Sequence, residues 1–356
     1  MGRRSNFSRR SNLTAALLAA LGACAILAAV AVAATITGTP GNDRLTGTAD
    51  ADTINALGGN DRVRALGGDD TINGGDGQDR VRAGAGNDAV AGNLGNDRIE
   101  AGDGDDTVSG NPGNDRIAGR AGDDTLSGDA GVDAIRGGGG DDAISGGAGI
   151  DFLFGNKGAD KIDGDQGGDR IYGNAGADDL SGGGGGRDRI FGGPDNDKVT
   201  GGDGRDRLHG GAGDDTVRGG GERDVLSGGT GDDTQYGGAG NDRIFANIGV
   251  DETFGGDGDD DLWALARADV PLAGVDTLHG GAGNDRFHTR DGEADVIDCG
   301  DGIDVAQLDP VDVIADATAE KPNGSCETIV RREPAAVDEG TENAQQSPRE
   351  DRKQRR

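Results

Sequence analysis

The chain has 356 residues, of which 73 are glycine, whereas glycine averages about 7% of protein residues. Aromatic residues make up 3%, and 66 Asp and Glu against 35 Lys and Arg give a net charge of −31. This composition excludes an ordinary globular enzyme domain with a large aromatic core. It also argues against a nucleic-acid partner, because so acidic a chain repels phosphate. The glycines and acids then belong either to a disordered chain or to a structural repeat.

The first 34 residues have the pattern of a targeting segment. Four arginines lie within residues 1–12, and an apolar stretch follows over residues 13–34. A basic region, an apolar region and an A-x-A-like end predict a signal peptide, and therefore a secreted, extracellular protein with no membrane span in its mature form. Three alternatives stay open: an uncleaved anchor, a lipobox at Cys24, and twin-arginine export directed by Arg9 and Arg10.

The body of the chain is a nine-residue repeat. Residues 37–262 divide into 25 units, with one extra residue in 181–190. When the positions are numbered 1 to 9, position 7 is Asp in all 25 units, position 9 is Leu, Ile or Val in 23, and position 5 is Gly in 22. Gln235 and Thr253 are the exceptions at position 9. A disordered linker has no physical reason to keep so strict a period, so the repeat predicts a folded array.

Each repeated position has a physical role. Gly at position 5 permits the positive φ of a tight turn. One aliphatic residue at position 9, between polar residues at positions 8 and 1, predicts a three-residue strand with one inward side chain. Such strands bury apolar surface only when they stack in parallel, and stacking brings the position 7 carboxylates together. A cation must then lie between the turns, and an array of carboxylate and carbonyl oxygens favours Ca²⁺ over Zn²⁺.

The repeat resembles the hemolysin-type RTX nonapeptide, G-G-x-G-x-D-x-U-x. The resemblance covers residues 37–262 and continues in degraded form to about residue 306. It implies an all-β fold, a right-handed parallel β-roll (a β-solenoid) with two three-residue strands per 18-residue coil. It also implies multiple Ca²⁺ ions, each held between turns 18 residues apart. The carboxylates that would serve as ligands are those of Asp61, Asp70, Asp79, Asp88, Asp97, Asp106, Asp115, Asp124, Asp133, Asp142, Asp151, Asp160, Asp169, Asp178, Asp206, Asp215, Asp233, Asp242, Asp260 and Asp285.

Turn carbonyls complete the ligand set that the resemblance implies. They are those of position 5 glycines such as Gly86, Gly104, Gly122 and Gly213. Some units depart from the pattern: 46–54, 191–199 and 218–226 carry Asp50, Asp195 and Glu222 in place of this glycine. The extra residue in 181–190 is expected to bulge a turn.

The two expected sheets have unlike outer faces. The sheet of the odd-numbered units carries arginines and then aromatic residues: Arg44, Arg62, Arg64, Arg80, Arg82, Arg98, Arg116, Arg136, Phe154, Tyr172, Phe191, His209, Phe245 and Trp263. The other sheet carries Thr, Ser and Asn, interrupted by Ala89 and Ala143. These rows are interpreted first as cross-strand ladders that stabilise a parallel sheet. The alternatives are recognition of a polysaccharide or cell surface by the arginine and aromatic face, and an ice-binding face of threonines.

The C-terminal part is expected to close the array. Residues 263–306 are degraded repeats with an insertion at 263–269, residues 307–334 form a cap, and residues 335–356 form a disordered tail. Cys299 and Cys326 are expected to form a disulfide that fixes the cap, with free thiols as the alternative.

No residue pattern indicates catalysis. The three histidines, His209, His279 and His288, all occupy outward strand positions with no spacing typical of a nucleophile or a metal site. The sequence therefore predicts a secreted calcium-binding RTX repeat protein with no enzymatic activity. Calcium is expected to drive its folding, and its role is expected to be structural or adhesive, at the cell surface or in the matrix. The alternative is a module that recognises a polysaccharide or surface through its arginine and aromatic face.

Overall fold

The computed structural model describes residues 33–264, 274–319, 321 and 323–332. The expected signal peptide, with Cys24, and the expected tail therefore lie outside the described residues, apart from the last two residues of the signal segment, and so does most of the insertion. The described chain forms two parallel β-sheets of 19 and 16 strands and contains no helix. The strands alternate between the sheets and build a solenoid of about 15 turns. The prediction of a parallel β-solenoid is confirmed.

The 19-stranded sheet is formed mainly by strands that begin at position 8 of the even-numbered units. Its strands are Thr35–Thr37, Thr53–Asn55, Thr71–Asp76, Ala89–Leu94, Thr107–Ser109, Thr125–Ser127, Ala130–Gly131, Ala143–Ser145, Ala148–Gly149, Lys161–Asp163, Gln166–Gly167, Asp179–Gly186, Lys198–Gly204, Thr216–Gly221, Thr234–Ala239, Glu252–Asp257, Thr277–Ala282, Val296–Asp301 and Val313–Ile314.

The 16-stranded sheet carries the arginine row and lies opposite the first across the core. Its strands are Arg44–Thr46, Arg62–Arg64, Arg80–Ala85, Arg98–Asp103, Arg116–Ala121, Ala134–Gly139, Phe152–Lys157, Arg170–Ala175, Arg189–Pro194, Arg207–Ala212, Val225–Thr230, Arg243–Ile248, Asp261–Trp263, Arg286–Thr289, Val305–Leu308 and Thr328–Arg331.

The register confirms the 18-residue coil that the resemblance implied. Ile99 pairs with Ile117, and Ile117 pairs with Ile135, so each side chain lies over its equivalent in the next coil. The extra residue of 181–190 is absorbed as a register shift between Gly184 and Gly186, which confirms the expected bulge. The insertion after Trp263 leaves the stacking intact, because the following strand pairs in the same phase.

The core is a double column of small and aliphatic side chains. The aliphatic residues of position 9, such as Ile117 and Leu126, are buried, and the residues before and after them face outward. Position 2, which the repeat pattern did not predict as a core position, is also buried and is occupied by Gly or Ala, as at Ala83 and Ala101. With one large side chain from each strand, the solenoid has a thin core.

The two polar residues at position 9 form a pair inside this core. Gln235 and Thr253 lie on neighbouring strands and are 0% and 1% exposed. The hydroxyl of Thr253 donates to Oε1 of Gln235 at 3.0 Å, and Nε2 of Gln235 donates to the carbonyl of Phe245 at 2.8 Å. Because each group that is buried here has a partner, the pair avoids the cost of an unsatisfied polar group. It lies where the apolar core divides into two clusters, one ending at Ile244 and the other beginning at Leu262.

Most strands are longer than the three residues expected. Arg98–Asp103 is typical: it has six residues and continues through positions 1 to 4 of the following unit. The backbone bends at position 3, where Gly102 has a φ of +145°. Hydrogen bonding between coils nevertheless continues past the bend, because every coil bends at the same place and Gly102 still pairs with Arg120.

The C-terminal end is closed by short strands and a disulfide. Cys299 and Cys326 are joined by that disulfide, and both are buried in the second core cluster. Thr328–Arg331 pairs with Val305–Leu308, and Arg331 Nη1 donates to the carbonyls of Asp309 and Asp312 at 2.9 and 3.1 Å. These contacts tie the last strand to the turn beneath it. Among the described residues, no helix is long and apolar enough to cross a membrane.

Because the backbone bends at position 3, we expect the effect of a Gly→Ala substitution on the free energy of unfolding to depend strongly on its position in the repeat. A Cβ at Gly102 would collide with the carbonyl oxygen of Gly84 one coil away, and its positive φ disfavours any L-residue. We expect Gly102→Ala to lower the free energy of unfolding in calcium by about 1–3 kcal/mol. Gly221→Ala is the matched control, since a Cβ there meets nothing closer than 3.9 Å. Equal effects of the two variants in chemical denaturation would contradict this account of the bend.

Candidate metal centres

The position 7 aspartates form a continuous column along each side of the solenoid. Oδ1 of each accepts the backbone N–H of the aspartate one coil earlier: the N–H of Asp88 donates to Asp106 at 2.8 Å, and that of Asp97 donates to Asp115 at 2.7 Å. The pattern continues past the insertion, where the N–H of Asp260 donates to Asp285 at 2.9 Å. Each carboxylate is therefore held in a fixed orientation by the preceding coil.

The second oxygen of each carboxylate has no such partner. Oδ2 is buried and makes no hydrogen bond within the described structure at all twenty aspartates that the resemblance implied as ligands. A buried polar atom that is left unsatisfied costs about 1–3 kcal/mol, and more when it is charged. A protein that repeats this feature coil after coil requires a compensating group.

Four further aspartates of the regular repeat share this geometry. Oδ2 is buried and unpartnered at Asp188, Asp197, Asp224 and Asp251. They are missing from the ligand set that the resemblance implied, and three of them follow turns that depart from the pattern. The invariance of Asp at position 7 was the signal that could have included them. In the degraded repeats, Asp295 and Asp304 have the same environment.

A backbone carbonyl of the next coil points to the same place as each Oδ2. A Cβ added at Gly128 would lie 2.5 Å from Oδ2 of Asp133 and 2.6 Å from the carbonyl oxygen of Gly146. At Gly201 the corresponding distances are 2.5 Å to the carbonyl oxygen of Gly219 and 2.6 Å to Oδ2 of Asp206. Where position 2 is glycine, it therefore leaves open a space in which a carboxylate and a carbonyl oxygen converge.

The position 5 glycines also stack coil upon coil. Gly104 and Gly122 have φ values of +123° and +124°, and a Cβ at either would meet the carbonyl oxygen of the glycine 18 residues earlier, Gly86 and Gly104 respectively. The carbonyl of Gly213 faces Gly231 in the same way. Asp195 and Glu222 adopt the same left-handed conformation, with φ of +80° and +71°. The turn geometry is thus kept at these two replacements of glycine.

Burial raises the pKa values of these aspartates. It raises the pKa of Asp106 to about 6 and that of Asp88 to about 7. The hydrogen bond from the preceding coil opposes the rise, and neighbouring carboxylates add to it. In the last coils burial is deeper, and the pKa of Asp295 rises to about 9. The folded chain therefore disfavours the charged form of these groups unless positive charge lies beside them.

These oxygens fit a hard cation. Within the described residues, no three His, Cys, Asp or Glu side chains converge in an arrangement suited to a metal ion. A site here would therefore combine carboxylate oxygens with backbone carbonyls of two stacked turns. Calcium accepts six to eight such oxygens in flexible geometry, whereas zinc prefers nitrogen and sulfur. When bound, calcium would supply the positive charge that the buried Oδ2 atoms lack.

The comparison with known families agrees with this geometry. The family model described as the RTX calcium-binding nonapeptide repeat (4 copies) matches the chain in overlapping segments from 37–72 to 227–262 and again at 272–306. These matches cover well over half of the chain, so it belongs to the RTX calcium-binding nonapeptide repeat family. Its repeats are calcium-binding repeats. No curated protein matches the chain.

The two oxygens of one aspartate can be separated by substitution. Asp106→Asn keeps Oδ1 as the acceptor for Asp88 but replaces Oδ2 with an NH₂ group, which cannot ligate a cation. We expect the free energy of unfolding to fall by about 1–3 kcal/mol in calcium and not to fall without calcium, because a repulsive charge is lost. Chemical denaturation in calcium measures the first effect, and the residual β-sheet signal of the calcium-free chain in circular dichroism measures the second.

The matched control for that substitution is Asp103→Asn. Asp103 lies in the same coil, is exposed and loses the same charge. Equal shifts of the calcium midpoint in the two variants would show that net charge alone controls calcium binding, and would contradict the ligand assignment.

The raised pKa values predict opposite effects of acid with and without calcium. In the calcium-free chain, a group whose pKa rises on folding binds more protons when folded, so stability increases as the pH falls from about 8 toward 4. In calcium, protons compete for the same carboxylates, so the calcium midpoint moves to higher concentration over about pH 8 to 6. Circular dichroism across this range tests both statements. A calcium midpoint independent of pH would contradict them.

Proposed function

We propose that the chain is a secreted protein whose folding is driven by calcium and which has a structural or adhesive role at the cell surface or in the matrix. The observation that carries the proposal is the column of buried, unpartnered Oδ2 atoms. An ion that binds the folded coils and not the open chain stabilises the folded state by linkage. Without it, the carboxylates repel one another and the glycine-rich chain gains entropy by opening.

Export supports this calcium dependence. Members of the family are typically secreted, and residues 1–34 of this chain have a basic region followed by an apolar one. An open, calcium-free chain is suited to translocation, and folding then follows where calcium is abundant.

A non-enzymatic role is also part of the proposal. The three histidines act as members of ring stacks: His279 stacks on Phe254 at 4.7 Å and His288 stacks on Trp263 at 3.7 Å between ring centroids. His209 meets Phe191 edge to face, and its Nδ1 lies 3.1 Å from the hydroxyl of Ser227. These contacts explain the histidines as side chains that stabilise neighbouring strands.

The aromatic rows favour the stabilising interpretation over glycan recognition. Phe154, Tyr172 and Phe191 stack with centroids 5.1 and 5.2 Å apart and planes 5° apart, and Arg136 covers Phe154 at 5.1 Å. The ring faces that would stack on a sugar are therefore in contact with one another. The opposite sheet has a similar row, in which Tyr236 and Phe254 stack with their ring centroids 5.0 Å apart. This second row was not predicted from the sequence. On the arginine and aromatic face, the arginines therefore remain as the candidates for recognition of a ligand.

Calcium titration of the mature chain tests the proposal. We expect a steep gain of β-sheet signal and a decrease in hydrodynamic radius with calcium, and neither with magnesium at the same ionic strength, because magnesium demands strict octahedral geometry. In addition, the full chain made by its host should stay with washed cells or matrix in calcium and leave on chelation. A compact, cooperatively melting solenoid in calcium-stripped protein would overturn the proposal.

A further inference from the structure

An exposed row of arginines crosses the first coils of the 16-stranded sheet. This arginine row consists of Arg44, Arg62, Arg80, Arg98 and Arg116, each paired in register with the next. All five are exposed. In the part of the chain that the structure describes, only Arg98 among them has an ion-pair partner, Glu100 at 2.8 Å. Like charges placed directly opposite destabilise a sheet, so the row favours binding of an external anion.

A row of amides runs beside the arginines. This amide row is Asn42, Asn60, Gln78 and Asn96, which occupy position 6 of the turns leading into the arginine strands and line one shallow groove with the arginine row. Oδ1 of Asn42 accepts the N–H of Asn60 at 2.7 Å, and Oδ1 of Asn60 accepts the N–H of Gln78 at 2.9 Å. The NH₂ groups of these exposed side chains remain as donors. The groove thus presents guanidinium and amide donors in parallel lines.

Acids occupy several of the turns at the other edge of the same sheet. There position 6 is Asp69, Asp105 and Asp123 in three turns, all exposed, and Ala51 and Asn87 in the other two. The floor of the groove contains position 7 carboxylates such as Asp61 and Asp79, which calcium would neutralise. In these first coils, the strip formed by the two rows is then positive and rich in hydrogen-bond donors.

We propose that this groove binds a linear acidic polysaccharide that carries carboxylates and lies along the solenoid axis. The inference rests on the proposed function, since the groove exists only in the calcium-folded chain. Guanidinium groups pair with carboxylates in a two-pronged geometry, and amide donors suit sugar hydroxyls. The strands follow one another at about 4.8 Å, comparable with the length of one sugar unit. A flat anionic membrane or a nucleic-acid duplex would be wide enough to meet the acidic turns as well.

A short oligogalacturonate is the probe, and its fully methyl-esterified form is the uncharged control. We expect the calcium-loaded protein to bind the acid form, as measured by calorimetry with calcium equal in both solutions, and not the ester. Arg44→Gln/Arg62→Gln/Arg80→Gln should weaken binding by about tenfold or more. Lys157→Gln/Lys161→Gln/Lys198→Gln removes the same charge elsewhere on the solenoid and should leave binding unchanged.

Each other outcome overturns the inference. Equal binding of the ester, or equal loss in the two triple variants, would show that the arginine row does not recognise carboxylates. Binding to anionic lipid vesicles that depends on the arginine row, without binding of the oligogalacturonate, would assign the groove to membranes. Calcium titration by circular dichroism accompanies every variant: a protein that folds with calcium but does not bind refutes only this inference, whereas one that does not respond to calcium refutes the proposed function.

Discussion

Parallel stacking in register places each side chain of this solenoid over the side chain at the same repeat position of the neighbouring coil, which in many rows is of the same kind. Because the coil has 18 residues and the repeat has nine, position 7 of one coil lies over position 7 of another, and the same holds for every outward position. A column of like groups is stable only if its members satisfy one another or a second component does so. The chemistry of the molecule depends on which columns satisfy themselves and which columns require a second component.

Three kinds of column satisfy themselves. Aliphatic side chains such as Ile99 and Ile117 pack on one another, and aromatic rings such as Phe154 and Tyr172 stack. Amides form chains of hydrogen bonds to the next backbone N–H, as Asn42 does with Asn60. Glycines such as Gly102 and Gly104 permit this repetition, since a Cβ at either would collide with a carbonyl oxygen of the coil before. Stability is therefore distributed evenly along the axis, as in other repeat proteins.

Much of this arrangement could be predicted from the sequence, because period and chemistry are both local. Position 9 predicted the core, position 7 predicted the carboxylate columns, and the extra residue predicted the bulge. The length of the strands could not be predicted, since it depends on backbone pairing across the bend at Gly102. The pairing of Gln235 with Thr253 could not be predicted either. The two residues are 18 positions apart in the sequence, and they come into contact only when neighbouring coils stack in register. The second aromatic row was missed because Tyr236 and Phe254 occur in only two successive coils, followed by His279 after the insertion.

The carboxylates of position 7 and the arginines of position 8 form columns of like charge, and neither column can neutralise its own charge. Inside the turns, buried carboxylates repel one another, and this repulsion is the reason that the proposed function couples folding of the chain to calcium binding. On the surface, the arginines are solvated and the cost is smaller. The chain itself offers one internal solution: Glu100 contacts Arg82, Arg98 and Arg120, and Arg98 holds its pKa below the usual range. One carboxylate among several arginines is the kind of contact that a carboxylated polymer would repeat along the groove.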